Sequence, residues 1–382
     1  MRILKLIIFI FLPLLAFSQD EETKDWDLTG YVKNLQTIYN LNLLGQEDLV
    51  QDNLLHNRLN FKYYINDRWT FKSDLRNRIF YGSRSIFLAN FDEDAGNDFV
   101  DLSGIIVESK GLLWHAMIDR LYFEYASDDW EIRIGRQRIN WGINTVWNPN
   151  DLYNAYNFVD FDYEERPGSD AIRITHYTGP TSSVEVAINA ADSWSEIVVG
   201  GLWKFNKGDY DFQVLTGFFE NDFVIGGGWA GNIKNASIKG EFSYFTPLVE
   251  EREKAFAGTL AVDYSFNKGQ YVNLGFLFNS QGVTTGGLES LFTSQLSAKN
   301  LYPFKYAIFT QVTHPISPLL NVGVANIFSP SQAKALFVNP TVTYSISNNW
   351  DLTIVGQLMF NQGVENYESP IQAFFLRFRY SF

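Results

Sequence analysis

The sequence predicts an all-β fold: a transmembrane antiparallel β-barrel of eighteen strands. Three observations predict it. Apolar and polar residues alternate with period two almost throughout. Short connections alternate with longer ones along the whole chain. Aromatic residues make up 16% of the 382 residues, with 33 Phe, 20 Tyr and 10 Trp, and cysteine is absent. After the first eighteen residues no apolar run is long enough to cross a bilayer as a helix, so such a chain crosses with strands.

Residues 1–18 read as an export signal. Arg2 and Lys5 precede an apolar run over 6–17, and Ala16 and Ser18 flank the cleavage region. The run is too short to span a membrane. The mature chain is expected to start at Gln19, and 19–382 to form one barrel domain. It would carry 28 basic and 43 acidic residues, a net charge of −15, which disfavours nucleic acid as a partner. Without cysteine, neither disulfides nor a lipoprotein anchor is available.

Strands are expected to begin near Trp26, Asp52, Arg68, His115, Trp130, Asp170, Thr181, Ile197, Tyr210, Asp222, Ala236, Lys254, Gln270, Phe304, Pro318, Lys334, Trp350 and Pro370. In "WDLTIVGQLMF" (350–360), Trp350, Leu352, Ile354, Leu358 and Phe360 share one face, and Asp351, Thr353 and Gln357 the other. Every second connection is a tight turn, such as Asn66-Asp67, Ser127–Asp129 and Ser347–Asn349. The longest of the others span 85–114, 142–169 and 282–303. Short periplasmic turns alternating with longer outer loops, over an even number of strands, put both termini in the periplasm. Trp26, Trp69, Trp130, Tyr210 and Trp350 each open an upward strand with the parity of its apolar face, forming one interfacial girdle. The last strand, "QAFFLRFRYSF", alternates up to Phe382. It resembles the signal read by the barrel-assembly machinery of Gram-negative outer membranes. Pro340 is a conflict inside a strand, because proline removes a ladder donor, and a local defect is expected there.

Eighteen strands enclose a lumen too wide for side chains to fill, so an aqueous channel is expected unless loops plug it. Of fifteen arginines, eleven fall between Arg58 and Arg173, and two more are Arg377 and Arg379. In a closed barrel the last strand neighbours the first, so these thirteen share one wall. Parity turns Arg58, Lys72, Arg76, Arg78, Arg120, Arg173, Arg377 and Arg379 inward. The stretch "EIRIGRQRIN" (131–140) breaks the rule, because strict alternation from Ile132 and Ile134 would aim Arg136 and Arg138 at lipid. An arginine there costs roughly 2–4 kcal/mol at mid-depth. A bulge at Gly135 would turn Arg133, Arg136 and Arg138 together toward the lumen.

Two readings of this basic wall stand. Its arginines pair with Asp74, Asp119, Glu124 and Glu131 and brace the barrel, or they focus a positive potential on passing anions. The segment "WGINTVWNPNDLYNAYNFVDF" (141–161) is expected to fold over or into the barrel, where its aromatics and amides suit either sugar-like solutes or simple packing. Asp92, Asp94 and Asp98 have oxygen ligands suited to calcium, but their spacing only loosely matches a calcium loop. A solvated acidic loop is the simpler account, and no metal or other cofactor is expected. His56, His115, His176 and His314 show no zinc spacing and no nucleophile motif occurs, so enzymatic activity is not expected.

"RIGRQRINWG" followed by "WNPNDL" resembles a motif of the alginate-exporter-like superfamily of porins, and "FVNPTVTYSISNNWDL" resembles its late hairpin. Gly135, Arg136, Gln137, Trp141 and Gly142 match the motif. The resemblance implies an outer-membrane channel and, for the exporter itself, an arginine-lined lumen and a polyanionic sugar. The expectation is therefore an outer-membrane barrel, bathed in lipid, that conducts small polar, anionic or sugar-like solutes by diffusion. The rival is a non-conducting accessory barrel of a larger secretion or assembly machine, bound to protein partners.

Overall fold

A computed structural model describes residues 24–43, 46–82, 99–154, 162, 164–249, 252–285, 296–363 and 366–382. The expected export signal and the acidic stretch 92–98 lie outside them. The strands are β1 (Trp26–Leu43), β2 (Gln46–Tyr64), β3 (Trp69–Gly82), β4 (Ser103–Ser109), β5 (Leu112–Ala126), β6 (Trp130–Gln137), β7 (Ser169–Gly179), β8 (Ser182–Asn189), β9 (Val198–Lys207) and β10 (Tyr210–Phe219). They continue as β11 (Asp222–Ile233), β12 (Ala236–Pro247), β13 (Ala255–Ser265), β14 (Tyr271–Asn279), β15 (Tyr306–Ser317), β16 (Leu320–Phe328), β17 (Leu336–Ser347), β18 (Trp350–Gln362) and β19 (Tyr367–Ser381).

Eighteen of these form a closed antiparallel ring, each paired with the next and β19 with β1. The seam is tight: Gly30 N–H donates to the Phe382 carbonyl at 2.9 Å, and Phe382 N–H returns a bond to Gly30 at 3.0 Å. Both described chain ends therefore lie at one rim, the rim of the tight turns. Trp69, Trp130 and Trp350 stand exposed just above it and pack against cross-strand rings, Trp69 against Tyr125, Trp130 stacked on His176 and Trp350 against Tyr380. Higher up the outer face is apolar, as in Val184, Val186 and Ile188 of β8, while Glu185, Ala187 and Asn189 turn inward.

The extra strand is β4. It lies inside the stretch expected to be loop over 85–114 and forms a hairpin with β5 through Gly111, whose φ of 86° suits glycine. It pairs with the upper part of β5, above the part that pairs with β6. Three boundaries also move. β2 begins at Gln46 rather than near Asp52, β5 at Leu112 rather than near His115, and β19 at Tyr367 rather than near Pro370. The defect expected at Pro340 is present: the β17–β18 ladder skips Asn339 and Pro340 without changing register. Asn339 Nδ2 replaces the missing donor, reaching the Gly356 carbonyl at 3.0 Å.

Candidate functional site: a basic wall and an internal strap

Beyond Gln137 the chain leaves the wall and crosses the barrel interior, as expected for the segment starting at Trp141. This strap is anchored strand by strand. Trp141 Nε1 donates to Glu185 of β8, and Gln213 Nε2 of β10 donates to the Trp141 carbonyl at 2.7 Å. The Ile143 and Asn144 amides donate to Glu241 of β12 at 3.2 and 3.4 Å. Asn150 donates to the Gly227 carbonyl at 3.0 Å and accepts from Ser243 at 2.8 Å. Tyr153 hydroxyl donates to the Ala187 carbonyl at 2.6 Å. These bonds satisfy polar groups that would otherwise be buried unpaired.

Apolar packing accompanies them. Ile139, Trp141, Leu152 and Tyr153 join inward residues of β7 to β13 in one buried cluster. Val146 and Trp147 join a second with Leu277, Phe309, Tyr302 and Phe304. Two glycines make the approach possible. A Cβ on Gly200 would sit 2.9 Å from the Trp141 ring, and one on Gly228 2.6 Å from Ile143 Cδ1. The sequence marks the strap by its aromatics and the wall it packs against by "IGGGW".

The opposite wall holds the basic residues. Arg58 is buried and contacts Asp74 at 3.0 Å, Asn60 at 2.8 Å and Asp119, with Glu165 of the strap 3.8 Å away. Lys72 adds a 3.4 Å contact to Asp74. Arg76 donates to His56 Nε2 at 3.2 Å, and Arg78 meets His115 at 3.3 Å. Nearer the tight-turn rim, Arg133 contacts Glu124 at 2.6 Å and Glu131 at 3.1 Å, and Arg173 contacts Glu131. The returning limb of the strap adds acids. Asp162 sits 2.8 Å from Lys33 and 2.9 Å from His56, and Glu164 sits 2.7 and 2.8 Å from Arg377 and Arg379. Arg120 donates to the Glu165 and Arg166 carbonyls at 2.9 and 2.7 Å. Burial would raise the Asp162 carboxyl, but its bonds to His56 and Lys33 hold it well below the usual range.

Gly135 is distorted, with φ of 120°, yet register runs unbroken on both sides of β6. The register slip lies instead in β5, where Asp119 is the extra residue opposite Asp74 and Leu75. Arg136 consequently keeps the register parity of Ile134, and its partner Asp170 that of Ile172. The pair is 2% and 8% exposed because residue 100 covers it. Arg136 binds both Asp170 oxygens at 3.0 and 2.9 Å and donates to the Val100 and Ile118 carbonyls. Val100 N–H donates to Asp170 at 2.9 Å. A covered bidentate ion pair thus resolves the parity conflict without a bulge. Arg138 lies past the end of β6, in the strap.

Sequence reasoning overlooked Lys33, Asp162, Glu164 and Glu165 as members of this cluster. Lys33 was legible by parity, which also turns His56 inward beside Arg58. The strap acids were not, because their partners lie more than a hundred residues away.

The class of protein is thus a closed eighteen-stranded barrel with an internal strap. No protein-family model and no curated protein matches the chain. Solved Occ/Opd outer-membrane porins share its fold. The crystal structure of OpdQ from Pseudomonas aeruginosa aligns at TM-score 0.59 and 8% identity, over 94% of this chain and 98% of that one. OccAB2 from Acinetobacter baumannii aligns at 0.58 and 8%, over 93% and 98%. OccK11 (OpdR) from Pseudomonas aeruginosa aligns at 0.58 and 9%, over 94% and 96%. At these identities the likeness is one of fold.

Proposed function

We propose that the protein is an outer-membrane channel for the diffusion of small polar or anionic solutes along its arginine-bearing wall. The observation that carries this reading is the inward cluster of Lys33, Arg58, Arg76, Arg78, Arg133, Arg173, Arg377 and Arg379 on adjoining strands of a closed barrel. Near the tight-turn rim Arg133 and Arg379 of this cluster, and Lys72 beside it, keep contact with solvent at roughly a quarter to a third exposed. Fixed charge at a narrow aqueous passage sets ion preference. The resemblance of the stretch around Gly135 to a motif of alginate-exporter-like porins supports the same class and leaves the solute open. Export by a cleaved signal over 1–18, and insertion through recognition of the strand ending in Phe382, belong to this proposal.

A second reading has its own support. The strap's apolar clusters occupy much of the interior beside β7 to β17, which favours a non-conducting accessory barrel bound to protein partners. Single-channel recording in a planar bilayer separates the two. Discrete conductance steps with an anion-favouring reversal potential in a KCl gradient support the channel. Silence from correctly folded protein supports the accessory barrel.

A further inference from the structure

At the rim opposite the tight turns, a cavity of about 470 Å³ opens between the β10–β11 hairpin, the β12–β13 connection and the β14–β15 connection. It lies apart from the basic wall. Its size falls within the roughly 300–1,000 Å³ of small-molecule sites. Its lining is polar except for Ala255: Asp222, Arg252, Glu253, Gln281, Ser297, Lys299 and Asn300.

The polar groups are fixed rather than loose. Asp222 opens β11 and is 2% exposed. One of its oxygens meets Lys299. The other, Oδ1, has no hydrogen-bond partner among the described residues, with Arg252 Nη1 3.8 Å away. Lys299 is held over the Phe219 and Phe245 rings at 5.2 and 5.8 Å. Arg252 is held at the cavity edge by donating to the Glu220 carbonyl at 3.1 Å. Glu220 aims that carbonyl from a left-handed conformation, φ 47°, that glutamate seldom adopts. Ser297 and Asn300 exchange backbone bonds at 3.1 and 3.0 Å, which fixes the turn that carries Lys299.

We infer that this cavity is an outer-mouth binding site for a neutral polyhydroxylated solute, a mono- or disaccharide. Among the described lining residues two acids face two bases, and the nearby Glu220 carboxylate interacts with Lys299 and Arg252, so no surplus of cations is left to draw an anion. Hydroxyl groups both donate and accept, which suits a lining that mixes carboxylate, guanidinium, ammonium, amide and hydroxyl groups. A ligand hydroxyl supplies the donor that Asp222 Oδ1 lacks. With no aromatic ring among the described lining residues, the affinity argued from hydrogen bonds alone falls on the order of millimolar.

Binding is measured on purified full-length protein in detergent, by saturation-transfer NMR titration with cellobiose and with glucose. The readout does not depend on conduction, so it stands or falls separately from the channel reading. The expected result is saturable cellobiose binding, weakened at least tenfold by Arg252→Ala combined with Gln281→Ala. Both side chains lie in connections outside the strands, so the barrel is expected to stay folded, as checked by heat-modifiable migration on gels. Asp222→Asn tests the buried acceptor and is read only if the same migration is retained. The inference is overturned if the parent shows no saturable binding, or if the double variant binds as the parent does. It is also overturned if sodium succinate or glycylglycine binds more tightly than cellobiose, since the site would then select charge.

Discussion

Replacing Trp141 by alanine should release the strap while leaving the barrel closed. Trp141 is 1% exposed and packs edge-on against Tyr153 at 5.1 Å. Its ring also fills the space beside Gly200, where no side chain remains to close a hole. Truncating a buried tryptophan costs about 3–5 kcal/mol. The loss falls on strap docking, because no strand-to-strand ladder bond passes through Trp141. At 1.4 kcal/mol per decade, undocking becomes roughly 10²- to 4 × 10³-fold more frequent. Hydrogen exchange by mass spectrometry reads this locally. Peptides covering Ile139, Ile143 and Asn144, whose amides bind Asn154 and Glu241, should lose protection by that factor. Peptides from β8 to β10 should change far less. Unchanged strap protection would refute the anchoring role of Trp141, and equal loss throughout the strands would refute a separately docked strap.

Gly135→Ala should destabilise the barrel by about 1–3 kcal/mol or prevent its assembly, since φ is 120° and the added Cβ would meet the Leu121 carbonyl; heat-modifiability of the variant checks this. Arg58→Met leaves Asp74 and Asp119 buried beside an apolar side chain, a cost of about 3–5 kcal/mol, and the double variant with Asp119→Asn should recover part of it in urea melts. Burial pushes the Asp151 carboxyl up to about 7, with Arg138 and Arg166 opposing. The folded state therefore holds this proton more tightly than the unfolded chain, near 4. Its docking should be strongest below about pH 4, weaken between 4 and 7, and level off above 7. Strap exchange protection at pH 5 and pH 8 measures this, and Asp151→Asn should flatten the difference. If the channel favours anions, neutralising Arg377 and Arg379 with glutamine should move the reversal potential toward cations at fixed KCl gradient, and an unchanged potential would leave these arginines a bracing role.

Strand number and rim assignment were legible because each rests on a repeated local signal: alternation, tight turns, and a tryptophan opening every few strands. The hairpin of β4 was hidden because "SGIIVES" carries consecutive apolar residues that obscure the alternation. Ile106 is the extra residue there. The bulge was misplaced for a related reason. Gly135 is a visible candidate, whereas Asp119 is one polar residue among several, and only pairing with β3 shows it to be extra. Arg136 shows the limit of parity. Alternation gives the side of the sheet correctly, but not that residue 100 lies over that side. Which acids meet which arginines depends on where the strap returns, and that is a tertiary fact.

The strap's return also bears on how the ring is completed. Glu164 grips Arg377 and Arg379 on the last strand, while Asp162 grips Lys33 on the first and His56 on the second. A segment from the middle of the chain therefore works as a clasp across the junction of its two ends. The Glu164 half of the clasp cannot engage until β19 arrives, and once the ring is shut it lies inside. Its capture and the zipping of β1 to β19 are thus one late event. That event joins residues more than three hundred positions apart, the most remote contact among the described residues and the slowest kind to form. A chain shortened within β19 would leave Glu164 without its two arginines and the first strand with an open edge, while Asp162 kept Lys33 and His56.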